Sequence, residues 1–178
     1  MEDLSLHILD IAENSIDAGA GRIEITIVNS AGEDRFMLRV KDNGRGMDQE
    51  TISRLRDPFF TTKTVRRFGL GIPLLAQFAE ECDGGLSIES KQGEGTTITA
   101  EFRQGHIDRK PLGDVGSTMM VLVGGHPELD FLLDYSADGV SYTFDTAKLK
   151  GDLQDVPINL PDVLKLIRED INEALRGG

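Results

Sequence analysis

Several things this chain has little of narrow what it can be. A single cysteine, Cys82, cannot close an internal disulfide. No apolar run approaches the roughly 18 residues that a membrane-spanning helix requires. The N-terminal Met1-Glu2-Asp3-Leu4 has neither the basic segment nor the apolar core of a secretory signal. These absences lead us to expect a soluble protein of the reducing cytoplasm, without membrane contact. Basic residues are also scarce: 19 lysines and arginines stand against 31 aspartates and glutamates, for a net charge of −12. Non-specific affinity for a nucleic-acid backbone comes from cations that displace counterions, so no nucleic-acid partner is expected. The acid is spread along the chain and reads as solvated surface. Three scattered histidines and one cysteine make no metal-ligand spacing.

What is present fits one domain with an extension: 178 residues, 39% hydrophobic and 28% charged. We place the domain at residues 1–105 and the extension at 106–178, after the basic, proline-containing stretch Asp108-Arg-Lys-Pro-Leu-Gly113. Leu4, Ile8, Ile11, Ala12 and Ser15 recur at helical spacing, so residues 4–17 read as a helix that stops at Asp-Ala-Gly-Ala. Residues 22–28 alternate with period two, and residues 36–41 form a second strand running into the glycine-rich turn Asp42-Asn-Gly-Arg-Gly-Met47. A short helix over 48–56, a loop over 57–70, a helix from Gly71 to Glu81 and a hairpin of strands 86–90 and 96–102 follow. In the extension, Thr118–Val123 reads as an apolar strand. Residues 131–135 and 140–145 read as a hairpin, and Pro161 opens a last helix that Gly177 closes.

Three places carry chemistry. In Asp42-x-Gly-x-Gly46, the glycines allow close backbone approach to a flat ring, and a carboxylate can accept from an exocyclic amine such as adenine's. An ordinary strand-ending turn looks the same when met alone. Glu13 and Asn14, taken singly, read as surface polar residues, but Asp10 and Asn14, four residues apart, share one helical face and could hold Mg²⁺ with its waters. Gly69-Leu70-Gly71 precedes a helix, where unpaired N–H groups and the helix dipole favour a phosphate. Lys63, Arg66 and Arg67 on the preceding loop add mobile cations.

In this order the segments resemble the GHKL superfamily, which includes histidine kinases, DNA gyrase, the large heat-shock chaperone and MutL. Glu13-Asn-Ser-Ile-Asp-Ala-Gly-Ala20 is similar to the N box, and Asp42-Asn-Gly-Arg-Gly-Met47 to the first glycine box. Asp57-Pro-Phe-Phe-Thr-Thr-Lys63, Phe68-Gly-Leu-Gly-Ile72, Gly84-Gly-Leu-Ser-Ile-Glu-Ser90 and Gly93-Glu-Gly-Thr-Thr-Ile-Thr99 resemble a histidine kinase catalytic domain. The resemblance implies the Bergerat fold, a two-layer α/β sandwich with a mixed, mostly antiparallel sheet and helices on one face, binding ATP and Mg²⁺. It assigns Asn14 to Mg²⁺, Asp42 to the adenine amine, and Gly46 and Thr97 to the base, directly or through water, with Gly44 in the same nucleotide-binding turn. Met47 packs near the ring, Lys63 reaches phosphate, and Gly69, Leu70 and Gly71 line the triphosphate.

Three departures stand out. Asp10 occupies the place of the glutamate that activates water in hydrolysing members. Arg67-Phe68 replaces a lid glycine. Six residues stand before His7, so no dimerisation domain with a phosphoacceptor is expected there, and His7, His106 and His126 read as structural. The expectation is a stand-alone kinase or ATP-dependent regulator acting on a protein partner or phosphoacceptor. A MutL-like ATPase with Asp10 as general base and a nucleotide-gated binding module are the alternatives. In the last helix, apolar positions 160, 164, 167, 171 and 174 make a narrow stripe, read as packing on the chain's own sheet or as a partner or homodimer surface.

Overall fold

The helical stripe over residues 4–15 becomes α1 (Leu4–Asp17) in the computed structural model, which describes residues 3–55 and 70–177. Asp3 caps it by accepting from the Leu6 amide at 3.2 Å. The period-two segments form β1 (Arg22–Ser30) and β2 (Arg35–Asp42), antiparallel, with Ile25 opposite Val40. Next come α2 (Gln49–Leu55), α3 (Gly71–Glu81), β3 (Gly85–Lys91) and β4 (Gly95–Arg103). The remainder forms α4 (Val115–Gly125), β5 (Asp130–Ala137), β6 (Val140–Asp145), α5 (Thr146–Leu153) and α6 (Pro161–Arg176).

The six strands make one mixed sheet in the order β3-β4-β2-β1-β5-β6. Every neighbouring pair is antiparallel except β1 and β5, which run parallel from Arg22↔Asp130 to Asn29↔Ala137. Strand alternation sorts the sheet's faces. Ile23, Ile25 and Ile27 of β1, Leu38 and Val40 of β2, and Phe131 and Leu133 of β5 are buried in one cluster with Leu4, Ile8 and Ile11 of α1. Arg39 and Lys41 face out on the opposite side. This is the expected two-layer α/β sandwich.

The C-terminal part differs from its sequence reading in one place. Residues 118–123 are helical, not a strand. Asp114 caps α4 through both oxygens, accepting from the Ser117 amide at 2.8 Å and its hydroxyl at 2.6 Å. The helix is wedged between α1 and α6: Thr118 Oγ1 donates to the Ser5 carbonyl, and the Gly116 amide donates to Asn172 Oδ1. A helix buried on most sides carries no one-sided apolar period, so its β-branched run mimics a strand. β5 and β6 of the extension continue the same sheet and share its core. In α6, Ile167 and Ile171 of the expected stripe are buried and Leu164 packs against the core, whereas Leu160 at the helix start is 43% exposed.

Candidate functional site

The inner ends of α1 and β2 meet at Asp42, which is only 8% exposed. Its carboxylate is held from three directions: Ser15 Oγ donates to Oδ2 at 2.6 Å, and the amides of Gly44 (2.9 Å) and Thr96 (3.3 Å) donate to Oδ1. The turn after Asp42 is pinned on both sides. Asn43 Oδ1 accepts from the amides of Gly21 and Arg22, the Arg45 amide donates to the Ala18 carbonyl, and the Gly93 amide donates to the Arg45 carbonyl. Gly46 has φ +68°, and a Cβ there would stand 2.0 Å from the Lys91 carbonyl oxygen. A Cβ on Gly44 would meet the Ala18 oxygen at 2.9 Å. These glycines let the turn nest against α1 and the β3–β4 hairpin and so fix Asp42.

A pocket opens above Asp42. Ile11, Ile72, Ile98 and Met47 give it apolar walls, and Asn14, Asp42 and Thr96 are among its polar lining. The lining, apolar on its sides with an oriented acceptor at the bottom, has the chemistry to face a heteroaromatic ring bearing an amine, while the space open in this structure is about 20 Å³, room for about one water. Thr97 is not among the lining residues. Ile98, Ala100 and Phe102 point into the core, so the even positions of β4 face the helices and Thr96 takes the place assigned to its neighbour. Ser15 was absent from the expected site residues, although it sits in the apolar stripe of α1, where a buried hydroxyl asks for a partner.

Asp10, one helical turn before Asn14 and not among the pocket's lining residues, lies against the start of α3: a Cβ added to Gly71 would fall 1.5 Å from Asp10 Oδ2. That oxygen and Asn14 Nδ2 are buried and have no hydrogen-bond partner among the described residues. Burial, and then the charge of Glu13, push the Asp10 carboxyl above the usual aspartate range. Leu70 stands at the N-cap of α3, is 52% exposed and offers no side-chain cap, so the first-turn amides of α3 are not capped from that position. The expected roles of Lys63 and Gly69, with Arg66, Arg67 and Phe68, lie outside the described residues. Among the described residues no group of three His, Cys, Asp or Glu side chains could hold a metal ion. Mg²⁺ fits this place only as it binds beside nucleotides, on one or two protein oxygens plus phosphate. The unpartnered Asp10 oxygen and the neighbouring Asn14 amide are suited to that.

The comparisons agree with this geometry. The profile of the family described as histidine kinase-, DNA gyrase B-, and HSP90-like ATPase matches residues 2–106. Sporulation kinase E of Bacillus subtilis is 35% identical over 106 residues, covering 57% of this chain and 14% of that protein. The sensor protein kinase FleS of Pseudomonas aeruginosa is 39% identical over 92 residues, covering 52% and 23%. The chain therefore spans a small part of the length of these relatives. Among solved structures, the Aquifex aeolicus MutL ATPase domain complexed with ADP superposes with a TM-score of 0.53 at 20% identity, covering 86% of this chain and 68% of that one. That match extends beyond residue 106 and shares the fold. The chain belongs to the histidine kinase-, DNA gyrase B- and HSP90-like ATPase family, the GHKL superfamily of ATP-binding domains.

Proposed function

We propose that the chain binds Mg·ATP over Asp42 and uses it as a stand-alone protein kinase or ATP-dependent regulator of a partner protein in the cytoplasm. The observation that carries the nucleotide assignment is the Asp42 carboxylate, fixed by Ser15, Gly44 and Thr96 at the base of an apolar pocket. In this reading the adenine amine donates to Asp42 and the ring lies between Met47 and the isoleucines. Asn14 supplies an oxygen to the metal, and the α3 amides after Leu70 receive phosphate. When bound, Mg·ATP would supply a transferable phosphoryl group. The chain's part is to orient it and to exclude water from the base.

The Asp10 placement favours a second reading, hydrolysis. A carboxyl with a raised pKa, unpartnered and beside the α3 N-terminus, can take a proton from a water near phosphate. Incubation with Mg²⁺ and γ-labelled ATP separates the two. Phosphate release that is lost in Asp10→Ala supports hydrolysis, and transfer of label to a protein supports a kinase. Bound ATP with neither outcome supports a nucleotide-gated binding module. Absence of ATP binding would refute the assignment altogether.

A further inference from the structure

Helices cover the inner face of the sheet unevenly. At its β6 edge, Tyr142 and Phe144 point to the helix side, and α6 reaches them through a hydrogen bond from Tyr142 Oη to Asp170 Oδ2 at 2.6 Å. Between α5, α6 and this strand lies a groove of about 440 Å³, within the ~300–1,000 Å³ range of ligand sites. Its apolar lining is Phe144, Leu149, Leu153, Val163, Leu166 and Ile167.

Leu166 is 65% exposed although it sits mid-helix. With Val163, Ile167 and Asp170 it forms an i, i+3, i+4, i+7 set lining the groove and sharing only the buried Ile167 with the Leu164–Ile171 stripe. The rim carries Asp145, Asp152 and Asp170 against Lys148, with Arg22 4.0 Å from Asp145, so its acid excess is centred on Asp152 and Asp170. All of these residues lie outside the family match at 2–106.

We propose that this groove docks an amphipathic helix of a partner protein, with large apolar anchors on one face and lysine or arginine beside them. A helix is the shape that fits because the slot continues the helix layer over the inner face of β6, where the opposing element elsewhere in this fold is a helix. The charge of the rim selects a basic partner. It disfavours a second copy of this chain, whose net charge is −12 and whose own groove repeats the acid. It likewise disfavours an anionic lipid surface.

The test is to pan a random peptide phage library on the immobilised full-length chain without nucleotide, so that its failure is separate from failure of the ATP assignment. Recovered peptides are then synthesised and titrated by fluorescence anisotropy. Recovered sequences should carry apolar residues at i, i+3, i+4 and i+7 flanked by Lys or Arg. Their affinity should fall about tenfold or more in Leu166→Arg, and also in the milder Leu166→Ser, and fall less in Asp152→Lys. Leu166 and Asp152 are exposed, so circular dichroism melts of the variants should match the wild type. Failure to recover any peptide, recovery of acidic or proline-rich peptides, or affinities unmoved by the Leu166 variants would overturn the proposal. So would a wild-type dimer in sedimentation that Leu166→Arg converts to monomer.

Discussion

Asp42→Asn replaces one carboxylate oxygen by an NH₂ and leaves the side chain's shape almost unchanged. The amide oxygen can keep the bonds from Gly44 and Thr96, with the NH₂ turned to Ser15, whose hydroxyl can rotate to accept. The fold should therefore persist, with a stability change of about 1 kcal/mol or less. Nucleotide binding should not persist. A hydrogen bond to a charged acceptor is worth about 1.5–3 kcal/mol, and the new donor faces the adenine amine, adding about 1–3 kcal/mol for an unsatisfied buried group. The sum corresponds to a loss of roughly 10²–10⁴ in affinity for Mg·ATP. Inosine triphosphate, which carries a 6-oxo acceptor where adenine carries its amine, should lose far less in this variant because the new NH₂ can donate to it. Isothermal titration of both nucleotides against both proteins measures the full cycle. A folded Asp42→Asn protein that binds ATP within twofold of wild type would refute the reasoning.

Other expectations follow from named contacts. His7 is 1% exposed, and its nitrogens have no partner among the described residues. Burial, with Lys110 nearby, lowers its pKa from 6.5 to about 4. The unfolded chain therefore binds the extra proton first, and about 3 kcal/mol of stability should be lost progressively as pH falls from 6.5 to 4. Urea melts across that window should show a smaller acid loss in His7→Leu, and an equal loss would contradict the burial argument. Gly46→Ala places a Cβ 2.0 Å from the Lys91 carbonyl at φ +68° and should cost on the order of 2–4 kcal/mol, read from a denaturant midpoint. Gly71→Ala meets the Asp10 carboxyl, Oδ2 at 1.5 Å and Cγ at 2.6 Å, and no backbone atom among its nearest neighbours. It should keep stability within about 1 kcal/mol while reducing phosphate release as far as Asp10→Ala does. Unchanged release would detach Asp10 from that role.

Much of the first hundred residues was legible because local pattern and tertiary need coincide there. The α1 stripe, the β1 and β2 alternation and the Asp42 turn each report the face they bury. Thr96 and Thr97 were separable in principle by strand parity, since Ile98 and Phe102 mark the inward phase. For α4 the local cue was Asp114-x-x-Ser117, a capping pair outweighed by the β-branched, apolar residues that follow. The parallel pairing of β1 with β5 had no local signature at all. It joins strands roughly a hundred residues apart, and only the shared core settles it.

The most direct test of the central claim is a calorimetric comparison of Mg·ATP with Mg·ITP on the wild-type protein. An Asp42 carboxylate that reads the base by accepting from its amine predicts binding of ATP and at least about fiftyfold weaker binding of ITP, whose 6-oxo group would face the carboxylate. Equal affinity for the two would contradict it.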